Sequence, residues 1–252
     1  MHVVNVPSEM RPLLQEIGRI AQQQGVAAYA VGGCVRDWLS GIDRTTDVDV
    51  AVVGEGIAFA RALARACGTR ATPHEQFGTA TLTVERSWER ARRPTRAHTS
   101  TPLRIDVASC RKETYAQPAA YPKVAAGTLK DDLFRRDFTI NAMAMALAPN
   151  HFGALVDPFG GCRDLKRRRL RILHPRSFLD DPSRILRAAR LTARFGLSLE
   201  PKTSQRLRQA VASGMLARLN RGRVRKEFER LIAEPDPLAC LAHLGQWLRT
   251  LA

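Results

Sequence analysis

The sequence predicts an α+β fold in two parts: a mixed sheet with helices over residues 1–150, then an all-helical part over residues 151–252. Three observations predict it. Short runs rich in Val, Ala and Ile, such as Ala27–Val31 and Asp47–Val53, carry strand patterning. Amphipathic segments of helical period lie between them. From about Ser177 onward helical periodicity dominates, broken at Gly196, near Asn220 and at Pro235–Pro237. The changeover falls between residues 147 and 175.

Taken in order, Ser8–Gln24 reads as a helix, with Ser8 as N-cap and Leu13, Leu14, Ile17 and Ile20 on one stripe. The strand Ala27–Val31 ends at Gly32-Gly33, and a short amphipathic helix runs from Cys34 to Leu39. Asp47–Val53 is a buried strand, and Gly54–Cys67 is a second amphipathic helix. Thr79–Val84 and Leu103–Ala108 are strands by alternation and β-branching. Glu85–Pro102 is rich in Arg and Pro without periodicity and reads as an exposed loop; residues 112–128 read as another irregular stretch. From Leu129 to about Leu147 the pattern is helical, and Ala154–Pro158 is a short strand ahead of Gly160-Gly161.

Hydrophobic residues make up 44% of the 252, enough for a real core, and the formal net charge is +16. Such a surplus points to a polyanionic partner, most often nucleic acid; a genome biased toward arginine codons is the bland alternative. Cys34, Cys67, Cys110, Cys162 and Cys240 are scattered, with no Cys-x-x-Cys. This argues against a structural zinc site or a disulfide framework and fits a reducing cytoplasm. No apolar run approaches the roughly 18 residues of a membrane span, and the N-terminus lacks a signal-peptide core.

The densest chemistry lies at residues 30–50. A glycine turn feeding a helix N-terminus aims backbone N–H groups at an anion. Asp47 and Asp49, two apart on a strand, share a face while Val48 and Val50 point the other way. Paired carboxylates repel unless a cation stands between them, and Mg²⁺, a hard ion that keeps substrate phosphates in its shell, is the natural occupant. Either feature alone is commonplace; together within 20 residues they describe a site for a nucleoside triphosphate and its metal.

Four further segments stand out. Arg135-Arg136-Asp137, with Asn141 close behind, suits phosphate oxygens and ribose hydroxyls. Asp157-Pro-Phe-Gly-Gly, followed by Asp164-Leu165, reads alone as a turn. In Asp180-Asp181-Pro182-Ser183-Arg184, acids precede a helix opened by proline, as the helix dipole prefers. Asp181, Arg184, Arg187 and Arg190, spaced by three, make a drifting stripe, which alone reads as a surface salt bridge from Asp181 to Arg184 with a basic face for RNA. Arg223 and Glu227, an i,i+4 pair, read as a structural clamp between helices.

These five ordered motifs, Gly-Gly-x-Val-Arg-Asp with its Asp-x-Asp, Arg-Arg-Asp-Phe-Thr-Ile-Asn-Ala-Met-Ala, Asp-Pro-Phe-Gly-Gly-x-x-Asp-Leu and Asp-Asp-Pro-x-Arg-Ile-Leu-Arg-Ala, resemble the class II tRNA nucleotidyltransferases and the bacterial poly(A) polymerases. The match runs from about Tyr29 to Leu231. It implies a polymerase-β-like catalytic head over 1–150 and a helical neck, nucleotide-reading and RNA-binding, over 151–252. It implies Asp47 and Asp49 as Mg²⁺ ligands and Asp106 as a third carboxylate on a neighbouring strand. Gly32, Gly33 and Arg36 become triphosphate contacts, and Arg136, Asp137 and Asn141 nucleotide contacts. Asp181, Arg184, Arg187 and Arg190 become the nucleotide-reading helix. The chemistry agrees: cytosine and adenine each offer an amino donor beside a ring-nitrogen acceptor, which a carboxylate and a guanidinium match. Guanine and uracil present the opposite polarity there.

The chain departs from the family pattern in three places. Asp180-Asp181 stands where the motif usually begins Glu-Asp. Glu85–Pro102 looks like an arginine-rich insertion. The chain stops at Ala252, about where a neck would end, so body and tail helices are expected to be missing or reduced. The resulting expectation is a template-independent RNA nucleotidyltransferase that adds C and/or A to tRNA 3′ ends from CTP or ATP and releases pyrophosphate. A poly(A) polymerase is the alternative. A non-catalytic RNA-binding module is the rival from another class, against which the intact Asp47, Asp49 and Arg136 argue.

Overall fold

The computed structural model describes residues 2–43, 45–84 and 102–249. The chain divides into two compact units that interleave along it. The first holds Met1–Lys112, Val124–Arg135 and Asn141–Phe159; the second holds Glu113–Lys123, Arg136–Ile140 and Gly160–Ala252. The boundary drawn at 150 is one cut, whereas the chain enters the second unit three times.

The first unit is built on a mixed sheet. Its strands are β1 (Ala27–Val31), β2 (Asp47–Val53), β3 (Ala71–His74), β4 (Thr79–Val84), β5 (Leu103–Ser109), β8 (Ala144–Ala146) and β9 (Leu155–Val156), in the order β3-β4-β5-β2-β1-β8-β9. β2 and β5 run parallel; the other pairs are antiparallel. The helices α1 (Arg11–Gln23) and α3 (Gly56–Ala66) pack on the sheet, and Val48, Val50, Val52, Ile105 and Val107 are buried. Each such side chain contributes roughly 1.5–3 kcal/mol by leaving water. α2 (Gly33–Leu39) follows β1, and α4 (Leu129–Phe134) precedes β8. No helix among the described residues is long and apolar enough to cross a membrane.

Three sequence expectations change here. α1 begins at Arg11 rather than after Ser8, and its cap position, Met10, makes no side-chain bond. The helix expected over 129–147 stops at Phe134, a 3₁₀ turn follows at Thr139–Asn141, and β8 pairs with β1. Ala142–Leu147 is buried throughout, and an unbroken apolar run carries no period that separates strand from helix. The stretch 112–128, expected to be irregular, instead takes part in a two-stranded ribbon of β6 (Arg111–Thr114) and β7 (Lys123–Ala126). β3 had no alternation to reveal it, and its Pro73 is tolerated at the sheet edge. The loop expected at Glu85–Pro102 lies, apart from Pro102, outside the described residues.

Gly18, inside α1, shows how closely that helix approaches the sheet: a Cβ there would stand 1.7 Å from the Leu147 carbonyl oxygen.

The second unit is helical around one core. It contains α5 (Gly161–Lys166), α6 (Ser177–Asp180), α7 (Ser183–Phe195), α8 (Pro201–Ala212), α9 (Arg221–Ile232) and α10 (Pro237–Leu248). Two short strands, β10 (Arg169–Leu170) and β11 (Ser198–Leu199), pair in parallel. The expected breaks are helix ends with local causes. Gly196 closes α7 in the left-handed region at φ 58°. The side chains of Asn220 and Asp236 accept backbone N–H bonds at the starts of α9 and α10. Phe138, Ile140, Leu170, Phe178, Ile185 and Leu207 form the centre of the core.

Candidate functional site

In the first unit, Asp47 and Asp49 lie on the exposed face of β2, alternating with the buried Val48 and Val50. Asp49 stands opposite Asp106 on β5, and Asp47 opposite Arg104. The pairing therefore gathers three carboxylates and one guanidinium on one face. Arg104 donates to Asp106 through Nε at 2.9 Å and Nη2 at 3.0 Å, and Thr81 Oγ1 donates to Asp106 Oδ1 at 2.5 Å. Both Asp106 oxygens are thus engaged. The bond and charge of Asp106, with the added fields of Asp47 and Asp49, raise the Arg104 pKa. Burial of the guanidinium opposes this, more strongly than the field of Asp47 or of Asp49 supports it, and Asp106 decides the direction.

Among the described residues no group of three or more His, Cys, Asp or Glu side chains is placed to hold an ion. Asp47 and Asp49 remain, two hard oxygen donors open to solvent on a negative face. They suit a divalent ion that takes its other ligands from substrate and water.

The glycine turn lies one strand away, at the end of β1. Gly32 adopts φ 79°, ψ −128°, a conformation that L side chains avoid, and leads into α2. Gly33 is different: a Cβ there would meet only Arg36 Nη2, at an ordinary 3.5 Å. Packing within the chain does not require glycine at 33. Arg36, expected to touch a triphosphate, is 6% exposed. It bonds Asp37 at 2.7 Å and donates to Asn141 Oδ1 at 2.5 Å. It thereby ties α2 to the segment before β8, and it occupies Asn141 as well. Arg135 is likewise used within the unit, on the buried Asp132 at 2.7 Å.

In the second unit the predicted reading helix is a hub of ion pairs. Asp181 caps α7: its Oδ1 accepts from Ser183 N at 3.0 Å and Ser183 Oγ at 2.5 Å. The same oxygen accepts from Arg223 Nη2 at 2.6 Å. Arg184 is 3% exposed, donates to Ser177 Oγ at 2.6 Å and stands 4.0 Å from Asp181. Arg187 lies among Asp137 (3.4 Å), Glu227 (3.2 Å) and Asp181 (3.8 Å). Burial opposes its charge, but the three carboxylates outweigh that and raise its pKa. Arg190 pairs with Glu234 at 3.1 Å. Asp137 is buried, bonding its neighbour's N–H and Arg187, while Arg136 is half-buried in the same unit.

The structure therefore brings Asp181, Arg184 and Arg187 together and draws Asp137 in with them. The basic face expected on α7 is largely neutralised by acids from other segments. Arg223 and Glu227 do act as clamps, but each reaches α7 or its cap. Arg104 and Glu234 were missed. Arg104 had a signal, two residues before Asp106 on one strand; Glu234 had none.

A mixed sheet that presents paired carboxylates beside a glycine turn, in a chain that continues into a helical unit, defines a polymerase-β-like nucleotidyltransferase head. Residues 28–171 match the family model described as the poly A polymerase head domain, and the chain belongs to that family. It is 36% identical over 247 residues to the A-adding tRNA nucleotidyltransferase of Geobacter sulfurreducens, covering 97% of this chain and 26% of that protein. It is 39% identical over 217 residues to the CC-adding tRNA nucleotidyltransferase of Deinococcus radiodurans, covering 86% of this chain and 53% of that one. A solved tRNA nucleotidyltransferase, complexed with a primer tRNA and an incoming ATP analog, superposes with a TM-score of 0.76 at 40% identity. That match covers 93% of this chain and 61% of the other. The chain thus spans between about a quarter and three fifths of these relatives.

Proposed function

We propose that this chain is a metal-dependent RNA nucleotidyltransferase, acting in the cytoplasm, that adds C and/or A to tRNA 3′ ends from CTP or ATP and releases pyrophosphate. The observation that carries the reading is the pair Asp47 and Asp49 on the open face of β2, within a head of this family. Asp47 and Asp49 would hold Mg²⁺, which when bound supplies charge neutralisation at the α-phosphate and the leaving pyrophosphate. Gly32 bends the chain, and Gly33 leaves the start of α2 bare, so that a phosphate can approach the backbone. Arg36 and Asn141 hold that turn in place. Arg104 sets the charge of the carboxylate face and keeps Asp106 oriented; Asp106 would join the metal-binding pair only by releasing Arg104. In the second unit, Asp181 and Arg184 are the groups we assign to reading the base edge, with Arg187, Arg190, Asp137 and Arg136 fixing them. The net charge of +16 suits an RNA substrate, and the scattered cysteines, with no Cys-x-x-Cys, suit a reducing compartment.

The test is incubation of the chain with Mg²⁺ and tRNAs ending before C74, before C75 and before A76, each with one labelled nucleotide at a time. Incorporation limited to C, to A or to C then A assigns the subtype. Long A tracts would assign poly(A) synthesis instead. Binding of tRNA without incorporation of any nucleotide would leave an RNA-binding module and overturn the reading.

A further inference from the structure

Tyr121 is 72% exposed, an unusual position for a large aromatic side chain, and the segment that carries it is firmly held. Ala119, two residues earlier, has φ 62°, a left-handed conformation that costs a non-glycine residue energy. Its N–H donates to the Leu179 carbonyl at 2.9 Å, and the Ala120 N–H donates to the Gln117 carbonyl at 3.3 Å. The Tyr115 hydroxyl donates to Glu113 Oε2 at 2.9 Å at the start of the same segment. The turn is therefore fixed against α6, and its result is to hold the Tyr121 ring out in solvent. The Arg223 guanidinium carbon lies 5.8 Å from the ring centroid, and Nη2 of that guanidinium bonds Asp181 Oδ1 at 2.6 Å. An aromatic face, a planar cation and a carboxylate thus follow one another within the second unit.

We propose that Tyr121 is a stacking platform for a nucleobase, held beside the Asp181 hub by Arg223. The inference rests on the function proposed above and adds a residue to it. An unpaired base needs a π-surface when it leaves its own stack, and an exposed ring fixed by its backbone provides one at little entropic cost. Stacking is tolerant of base identity. Tyr121 therefore supplies affinity, while choice among bases stays with Asp181 and Arg184. Arg223 is occupied by Asp181, so the cation orients the ring without covering both its faces.

The test compares the native chain with Tyr121→Ala and Tyr121→Phe, using two probes. One is a tRNA whose 3′-terminal base is 2-aminopurine; the other is the triphosphate of 2-aminopurine riboside. Stacking on tyrosine should quench the fluorescence of the probe that brings the base, which shows whether RNA or nucleotide is the source. Tyr121→Ala should abolish the quenching and weaken binding of that probe by about 5- to 100-fold, the range of base–aromatic stacking. Tyr121→Phe should restore both, and the melting temperature should stay within about 1 °C, because the ring is exposed. In turnover, KM for the same substrate should rise for cognate and non-cognate bases alike, with kcat little changed. Native binding and quenching retained in Tyr121→Ala would overturn this inference and leave the enzymatic reading standing. Failure of the native chain to bind either probe would overturn both.

Discussion

Replacing Asp181 separates its structural duty from its proposed part in base choice. One carboxylate oxygen serves three donors: the Ser183 N–H, the Ser183 hydroxyl and Arg223. Losing the cap bond at the start of α7 costs about 1 kcal/mol. Losing the charge-assisted bond to Arg223 costs roughly 1.5–3 kcal/mol. The Arg223 and Arg187 side chains keep 25% and 29% of their exposure, so water partly replaces the lost acceptor and the lower end applies. Asp181→Ala is expected to lose roughly 2–3 kcal/mol, or about 5–10 °C in melting temperature for a chain of this size. Asp181→Asn keeps an acceptor for Ser183 and loses mainly charge, so its shift should be half that or less. Thermal and urea unfolding of the two variants measure this. A shift below about 1 °C for Asp181→Ala would refute the hub as a source of stability. With Asp181→Asn folded, incorporation of all four nucleotides is then compared. Relaxed discrimination against UTP and GTP supports base reading, and a uniform loss would mean that Asp181 acts through geometry alone.

Three other outcomes follow from the structure. Asp47→Ala and Asp49→Ala should each reduce transfer by far more than tenfold with little change in melting temperature, since both side chains are exposed; incorporation within tenfold of native would remove them from the site. Gly18→Ala, whose Cβ would meet the Leu147 carbonyl oxygen at 1.7 Å, should cost about 3 kcal/mol or more in urea unfolding. Gly245→Ala meets nothing within 4 Å inside α10 and should gain about 0.5–1 kcal/mol; the opposite order would refute the packing argument. His174 is held below its ordinary pKa of 6.5, first by burial and then by Arg184 and Arg176, with Asp180 opposing. Below about pH 6.5 the unfolded chain takes up a proton that the folded chain resists, so native stability falls as pH drops through that range. His174→Asn should flatten the decline between pH 7 and 5, as read by melting temperature; an unchanged slope would show that His174 titrates normally.

Local signals carried the sequence reading furthest. The alternation of Asp47 and Asp49 with Val48 and Val50 fixed which face bears the carboxylates, and period two alone sufficed for that. Gly196, Asn220 and the Pro235–Pro237 break mark real helix ends because capping depends on residues within one turn. The reading went astray where burial removed periodicity, at Ala142–Leu147, and where an edge strand had no pattern, at Ala71–His74. The arginines of α7 illustrate a different limit. Their partners lie 40 to 50 residues away: Glu227 and Asp137 for Arg187, and Glu234 for Arg190. A basic stripe and a neutralised one look alike in sequence when the acids arrive from other segments. Arg36 shows the same limit, since Asn141, 105 residues on, takes a guanidinium that the motif alone would leave for phosphate.

The three entries into the second unit bear on how the chain is made and recombined. Phe138 and Ile140 lie at the centre of that unit's core beside Leu170, Phe178 and Ile185, with Leu244 also in the cluster. During synthesis Phe138 emerges about a hundred residues before Leu244, so an apolar segment must wait for packing partners that are made much later. Domains generally fold as units in order of emergence; here the later unit borrows two of its central side chains from the earlier stretch of chain. A gene fusion cut at residue 150 would carry the helices away without Phe138 and Ile140. Recombination that preserves both units must exchange them together.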